Sequence, residues 1–307
     1  MIHLYFFIHS SMELYTSPEY KRKDVDNVHG HPQNVTTFLS VVKAQYKDTL
    51  TIYAKKTILL KKYENVCVYG LDPLFKHVHA SQATIPRAAI LVQKWGYGYY
   101  HFVNEMLPKI LRIFEYDATL PIIIFTNSFI KNMITYFGVT NPIISYDNPC
   151  LCKEAILVTD TASGNPSPND ITLIRNYVRF KPVEKKVIVL IYRKEKKRHI
   201  SNFDEIYSGL QIKFPNEKIV IFDSLPFQEM VDLFQSAKLI IGAHGAGFSN
   251  MIFANKTPII EIFPENMFNA CYWHLSWILE NPHLILITDS LFKVDSEELY
   301  KAIQYVI

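Results

Sequence analysis

Lys238-Leu239-Ile240-Ile241-Gly242-Ala243-His244-Gly245-Ala246-Gly247-Phe248-Ser249-Asn250 is the stretch from which the rest of this chain is read. An apolar run enters three closely spaced glycines. A short apolar segment, Met251 to Ala254, follows, and Pro258 leads into a further apolar run, Ile259 to Phe263. This is the order strand, tight turn, helix start, strand. Glycine reaches φ > 0 and lets a ligand approach the backbone. A helix starting there offers unpaired N–H groups and the positive end of its dipole to an anion. The residues support two readings, a phosphate-bearing ligand or close packing of strand on helix. The glycine order, Gly-x-x-Gly-x-Gly, is neither the dinucleotide fingerprint nor a P-loop.

Outward from this turn the second half alternates. Strands are expected at Lys186–Tyr192, Lys218–Phe222, Leu239–Gly242, Pro258–Phe263 and Leu284–Thr288. Helices are expected near Asp204–Phe214, Pro226–Ser236, Gly247–Phe253 and Met267–Leu279, with a last one from Ser296, its cap, to Val306. Nearly all-apolar strands alternating with helices predict a parallel sheet covered on both faces. Ligands in such sheets bind at the carboxyl ends of strands. Glu261 lies near one such end, placed to accept from ribose hydroxyls or to start a helix. Arg193 and Arg198, in the basic stretch after the first of these strands, suit bidentate contact with phosphate oxygens; a solvated charged loop is the plain alternative.

In the first half, Leu50–Ile58, Asn65–Tyr69, Ala89–Val92, Pro121–Phe125, Ile143–Tyr146 and Ala155–Val158 read as strands, and Ser128–Phe137 as a helix. Tyr99 to Phe114 carries Val103, Met106, Leu107, Ile110, Leu111 and Phe114 on one helical stripe. Pro108 predicts a kink or restart at Leu107. His101 and Glu105 share the polar face four residues apart. They could form a general base, bind an acceptor hydroxyl, or make a surface ion pair. His29 and His31 read as ligands or as part of a solvated loop. Ala162 to Pro168 is rich in Gly, Ser and Pro, which places the domain boundary there: 1–165 and 166–307.

The 307 residues suffice for about two domains. A formal charge of +3 is too small to make nucleic acid the partner. Cys67, Cys150, Cys152 and Cys271 match no zinc spacing, and free thiols in a reducing compartment are expected. Ile2 to Ile8 reads as a first strand, without a signal peptide's basic region or cleavage site. No run approaches the ~18 apolar residues of a membrane span.

Three stretches together resemble glycosyltransferase family 61: Tyr100-His101-Phe102-Val103-Asn104-Glu105-Met106-Leu107-Pro108, Arg193 through Asn202, and Gly242 through Asn250. Ile260 to Pro264 and Val294 to Leu299 fit at their spacings. The resemblance covers about 88–307, and residues 1–85 show none. That family includes capsular-polysaccharide enzymes, plant xylosyl- and arabinosyltransferases and an EGF-domain O-GlcNAc transferase. The resemblance implies an α/β, GT-B-type fold, two Rossmann-like domains facing across a cleft. It further implies a nucleotide-sugar donor, a glycan acceptor hydroxyl, inversion at the anomeric carbon, and neither metal nor other cofactor. Asp24-Val25-Asp26 matches a metal motif in letters only.

Inversion needs a base for the acceptor and stabilisation of the leaving diphosphate. On this resemblance Glu105 is the base, with His101 its rival. Arg193, Arg198 and the amides around Gly245, Ala246 and Gly247 take the diphosphate. His244 contacts phosphate or sugar, Asn250 fixes the turn or touches the donor, Asn202 joins the donor-binding set, and Glu261 holds the ribose. The lack of a signal anchor leads us to expect a cytoplasmic, microbial or viral setting, with peripheral membrane association left open. Two alternatives stand beside this: a Rossmann-fold NAD(P)-dependent oxidoreductase, weakened by the glycine order, and a catalytically silent nucleotide-binding member.

Overall fold

The computed structural model describes residues 4–7, 53–55, 58–68, 83–91, 95–145, 150–158, 164, 166–194 and 198–307. His29, His31 and the Asp24-Val25-Asp26 triplet lie outside the described residues. The chain divides into two units, one of residues 30–177 and one of residues 178–307 with 1–29.

The first strand, β1 (Leu4–Phe7), belongs to the second of these units. The unit of residues 30–177 contains β2 (Tyr53–Lys55), β3 (Ile58–Val68), β4 (Ala83–Ile90), β5 (Ile122–Ile124), β6 (Ile143–Ser145) and β7 (Cys150–Val158). They form one sheet in the order β2-β3-β7-β4-β5-β6. β7, β4, β5 and β6 run parallel, while β3 is antiparallel to both β7 and β2.

The helix expected over 99–114 is broken as Pro108 requires. It consists of α1 (Tyr99–His101), a π-helical turn (Phe102–Met106) and α2 (Leu107–Tyr116). The Leu107 N–H donates to the Phe102 carbonyl, five residues back. Proline has no N–H and its ring collides with the carbonyl four residues earlier, so one widened turn relieves the clash. Val103, Met106, Leu107, Ile110 and Leu111 are buried, as the stripe predicts.

Two further helices complete this unit, α3 (Ser128–Tyr136) and α4 (Pro168–Tyr177). No helix was expected where α4 lies, and it moves the division between units to after Tyr177. The reason is packing. Ile171 and Ile174 of α4 are buried, and Asp170 accepts a hydrogen bond from Arg112 of α2 with both side chains out of water.

The other unit holds β8 (Val187–Ile191), α5 (Phe203–Lys213), β9 (Lys218–Phe222), α6 (Phe227–Gln235) and β10 (Ala237–Ala243). A 3-10 helix (Ala246–Phe253), β11 (Ile259–Pro264), α7 (Cys271–Ile278), β12 (His283–Thr288) and α8 (Ser296–Val306) follow. α8 is capped by Asp295, whose carboxylate accepts from the Glu298 amide at 3.1 Å, one residue before the expected Ser296. The sheet order is β1-β12-β11-β10-β8-β9, and only β1 is antiparallel to its neighbour. Ile188, Leu190, Leu239, Ile241, Ile260 and Ile262 form a core with Ile206 and Leu210 of α5 and Leu299 and Ile303 of α8.

Both units are thus α/β, each built on a mainly parallel sheet as expected. In the second, β9 lies to one side of β8 and β10, β11 and β12 to the other. The winding direction therefore reverses between β8 and β10. At such a switch point the loops leaving two neighbouring strands part to opposite faces and open a crevice at the carboxyl ends.

Candidate active-site residues in each unit

The glycine turn sits at that switch point. Register aligns Ile191, Gly242 and Glu261 in one row across β8, β10 and β11. Arg193 follows β8, His244 follows β10, and Glu261 stands within β11, so one end of the sheet gathers all three.

The glycines divide the work differently from the expectation. None of the three adopts the left-handed backbone; Gly245 is extended, with φ 166°. What each supplies is the missing Cβ. A Cβ on Gly242 would stand 2.7 Å from the Ile191 Cβ, and one on Gly247 would stand 2.9 Å from the Ile191 Cγ2. A Cβ on Gly245 would overlap the Arg193 guanidinium. Two glycines therefore seat the turn on Ile191 and the third makes room for arginine. Arg193 Nη1 donates to the His244 carbonyl at 3.0 Å. The first 3-10 bond runs from the Phe248 N–H to the Gly245 carbonyl at 3.0 Å. The amides of Ala246 and Gly247 precede it and have no acceptor within the helix.

His244 is held on every side. Its N–H donates to the Ile262 carbonyl at 2.9 Å. Its ring stacks on Phe263 at 4.8 Å and tilts against Tyr272 at 5.1 Å. Its Nδ1 lies 2.6 Å from Glu261 Oε1. Glu261 is fully buried, and its other oxygen is 3.1 Å from His283 Nε2. Burial alone would raise the Glu261 pKa. Hydrogen bonds from His244 and His283 and their charges outweigh it, and hold the carboxyl below its ordinary value. Glu261 therefore does not reach a ribose: both its oxygens face histidines in the interior.

Asn202 also differs from its expected place in the donor-binding set. Its amide donates to the Val294 carbonyl at 3.0 Å and its carbonyl accepts from the Val294 N–H at 3.0 Å, clasping the segment before α8. Asn250 is buried behind the turn. Arg198 is half-buried, and its charge acts on Tyr272, which hydrogen-bonds Ser249. Burial pushes the Tyr272 hydroxyl well above its ordinary pKa. The structure thus brings Arg193, Arg198, His244, Gly245, Ala246 and Gly247 to one end of the sheet. It adds Tyr272 beside His244 and, from the start of β12, His283 behind Glu261; no sequence motif marked either.

The 30–177 unit holds a second constellation. Glu105 is buried in the π-helical turn and His101 is part-exposed. His101 Nδ1 lies 2.9 Å from Glu105 Oε1, which also accepts from the Gly164 N–H at 2.8 Å. The pair is not a surface ion pair, because the carboxylate is inside. Gly164 has φ 77°, a left-handed conformation natural to glycine, so the stretch expected to be a linker supplies a donor to the pair. Among the described residues no three His, Cys, Asp or Glu side chains are grouped to hold a metal ion, and no helix is long and apolar enough to cross a membrane.

Basic and histidine side chains at the switch point of an α/β sheet suit an anionic ligand, and sequence comparison gives the family. A model of the glycosyltransferase 61 family matches residues 99–260, and the chain belongs to that family. The match runs from α1 into the start of β11; it includes His101, Glu105, Arg193, Arg198 and the glycine turn with His244, and stops before Glu261, Tyr272 and His283. A segment of 99 residues is 28% identical to the EGF domain-specific O-linked N-acetylglucosamine transferase of Drosophila melanogaster. It covers 31% of this chain and 19% of that protein, so the chain spans about a fifth of the relative's length. Among solved structures, the chain is similar to the iron-containing heptosyltransferase TibC in complex with ADP-D-beta-D-heptose, at 11% identity and TM-score 0.36 over 67% of this chain and 66% of that one. It is also similar to E. coli heptosyltransferase WaaC with ADP, at 6% identity and TM-score 0.28 over 47% and 50%.

Proposed function

We propose that this chain is an inverting, metal-independent glycosyltransferase that moves a sugar from a nucleotide-sugar donor to a hydroxyl of a glycan acceptor. The observation that carries the donor half is the Arg193 guanidinium, seated in the space that Gly245 leaves and anchored on the His244 carbonyl. There it stands against Gly245, immediately before the Ala246 and Gly247 amides in the chain, while Arg198 acts on Tyr272, which leans on His244. Guanidinium and backbone N–H groups together suit the charge that grows on a departing diphosphate. In this reading they take the place of a metal.

The acceptor half rests on His101 and Glu105. Glu105 was the expected base, but it is inside the helix and accepts from Gly164. His101 is the exposed member of the pair. The better division of labour is His101 as base, with Glu105 holding Nδ1–H and stabilising the imidazolium that forms. A buried carboxylate orienting a catalytic imidazole works by this logic in many hydrolases. A cytoplasmic setting and a surface or capsular polysaccharide, or a protein-linked glycan, as acceptor complete the proposal.

The test is transfer or donor hydrolysis with a panel of nucleotide sugars in EDTA. Turnover is expected with at least one donor. His101→Ala should lower kcat by about 100-fold or more while nucleoside diphosphate affinity stays unchanged. Thermal stabilisation by NAD(P) and by no nucleoside diphosphate would overturn the reading.

A further inference from the structure

Glu261 and His283 are buried, titratable and unused by the reaction as described so far. Glu261 lies on β11, opposite Gly242 of β10, and His283 pairs with Ile259, two residues earlier on β11. The two-residue period puts Glu261 and His283 diagonally on one face of the sheet. His244, two residues past Gly242, meets them from the end of β10. The series continues. His283 Nδ1 is 2.7 Å from Ser276 Oγ on α7, and that oxygen lies 3.3 Å from the Met251 sulfur. Met251 is in the 3-10 helix that His244 leads into. The series therefore leaves the glycine turn through one side chain and returns to it through another.

We propose that Glu261 and His283 are positioning residues for His244, fixing its ring so that Nε2 is the nitrogen offered to the leaving diphosphate. This rests on the donor reading of the turn. The argument is one of hydrogen-bond inventory. An ionised carboxylate only accepts, so the 2.6 Å contact requires the proton on His244 Nδ1. The ring cannot turn to exchange its nitrogens, because Phe263 stacks on it and Tyr272 leans against it. The backbone cannot slide, because Ile262 and Arg193 grip its N–H and C=O. With Nδ1 committed, Nε2 is left for a ligand. When it binds a second proton it becomes a cationic donor suited to phosphate oxygen, and Glu261 balances that charge from behind. His283 Nε2 stands 3.1 Å from the far oxygen of Glu261 and flanks the carboxylate on that side. A buried carboxylate between two imidazoles is a costly way to fill a core, where apolar side chains of equal volume do as well or better. Its place beside the turn gives that cost a use.

The test is long-range 1H–15N NMR of the full chain labelled at histidine, together with pyrophosphate titration. In the wild type His244 is expected as the Nδ1–H form, with Nε2 moving on addition of pyrophosphate. Glu261→Gln should release a mixture of tautomers and weaken pyrophosphate binding by about tenfold or more, the range that outer partners of a working histidine command. His283→Gln, the milder change, should do so in the same direction. Adding Glu261→Gln to His244→Gln should weaken binding no further, since Glu261 acts only through that ring. Thermal denaturation identifies the variants that are folded. If folded Glu261→Gln keeps a single His244 tautomer and wild-type pyrophosphate affinity, the positioning role fails and the donor reading stands. If the wild type does not bind pyrophosphate, the donor reading fails, and with it the use proposed for Nε2.

Discussion

Gly242 and Gly245 stand three residues apart in one turn, yet the structure assigns them different duties. The missing Cβ of Gly242 faces strand backbone and the branched root of Ile191, neither of which can move. Gly242→Ala should therefore destabilise the unit by about 1–3 kcal/mol, the usual cost of overpacking. The missing Cβ of Gly245 faces the far end of a flexible arginine. Gly245→Ala should leave the melting temperature close to that of the wild type while displacing Arg193 and weakening nucleoside diphosphate binding by about tenfold or more, as the loss of a charge-assisted contact does. Denaturant titration and calorimetry on the two variants check the contrast. A large stability loss in Gly245→Ala with unchanged affinity would reverse the assignment.

At the scale of elements, α2 and α4 are joined by Arg112 and Asp170, which are buried together. Removing one partner of such a pair strands the other charge and costs about 3–5 kcal/mol. Asp170→Ala should accordingly lower stability by about that amount in urea unfolding. A loss under about 1 kcal/mol would mean the pair is solvated in solution. The same packing explains why α4 was not legible. The stretch before it reads as a linker by composition, and its first turn draws its burial from a helix more than fifty residues earlier. The break at Pro108, in contrast, was legible, because proline's missing donor and ring clash act within one helical turn. Only its form, a π-helical turn that carries Glu105 inward, depended on the surroundings.

At the scale of the molecule, β1 from the start of the chain closes the sheet of the C-terminal unit by pairing antiparallel with β12. Residues 178–307 expressed alone would expose β12 as a bare edge, a template for self-pairing. That fragment should aggregate on size-exclusion chromatography. A version with residues 1–29 joined by a flexible linker should elute as a monomer. Equal behaviour of the two would show that the edge needs no cover.

The α/β class and the alternation of strands and helices over 186–306 were determined by local sequence. Apolar runs such as Val187–Ile191 and Ile259–Phe263 are too apolar for any place but a sheet covered on both faces. The glycine turn was also legible, and so was the company of Arg193. Which of the candidate residues are turned into the interior was decided by tertiary structure alone. Glu261 reads from sequence as a strand-end carboxylate placed for a ribose or for a helix start, yet the register of β11 between β10 and β12 turns it inward between two histidines. His283 carries no motif at all; it matters because a strand a whole helix later brings it within 3.1 Å of that carboxylate. Burial and strand register are properties of the assembled sheet, and no local spacing encodes them.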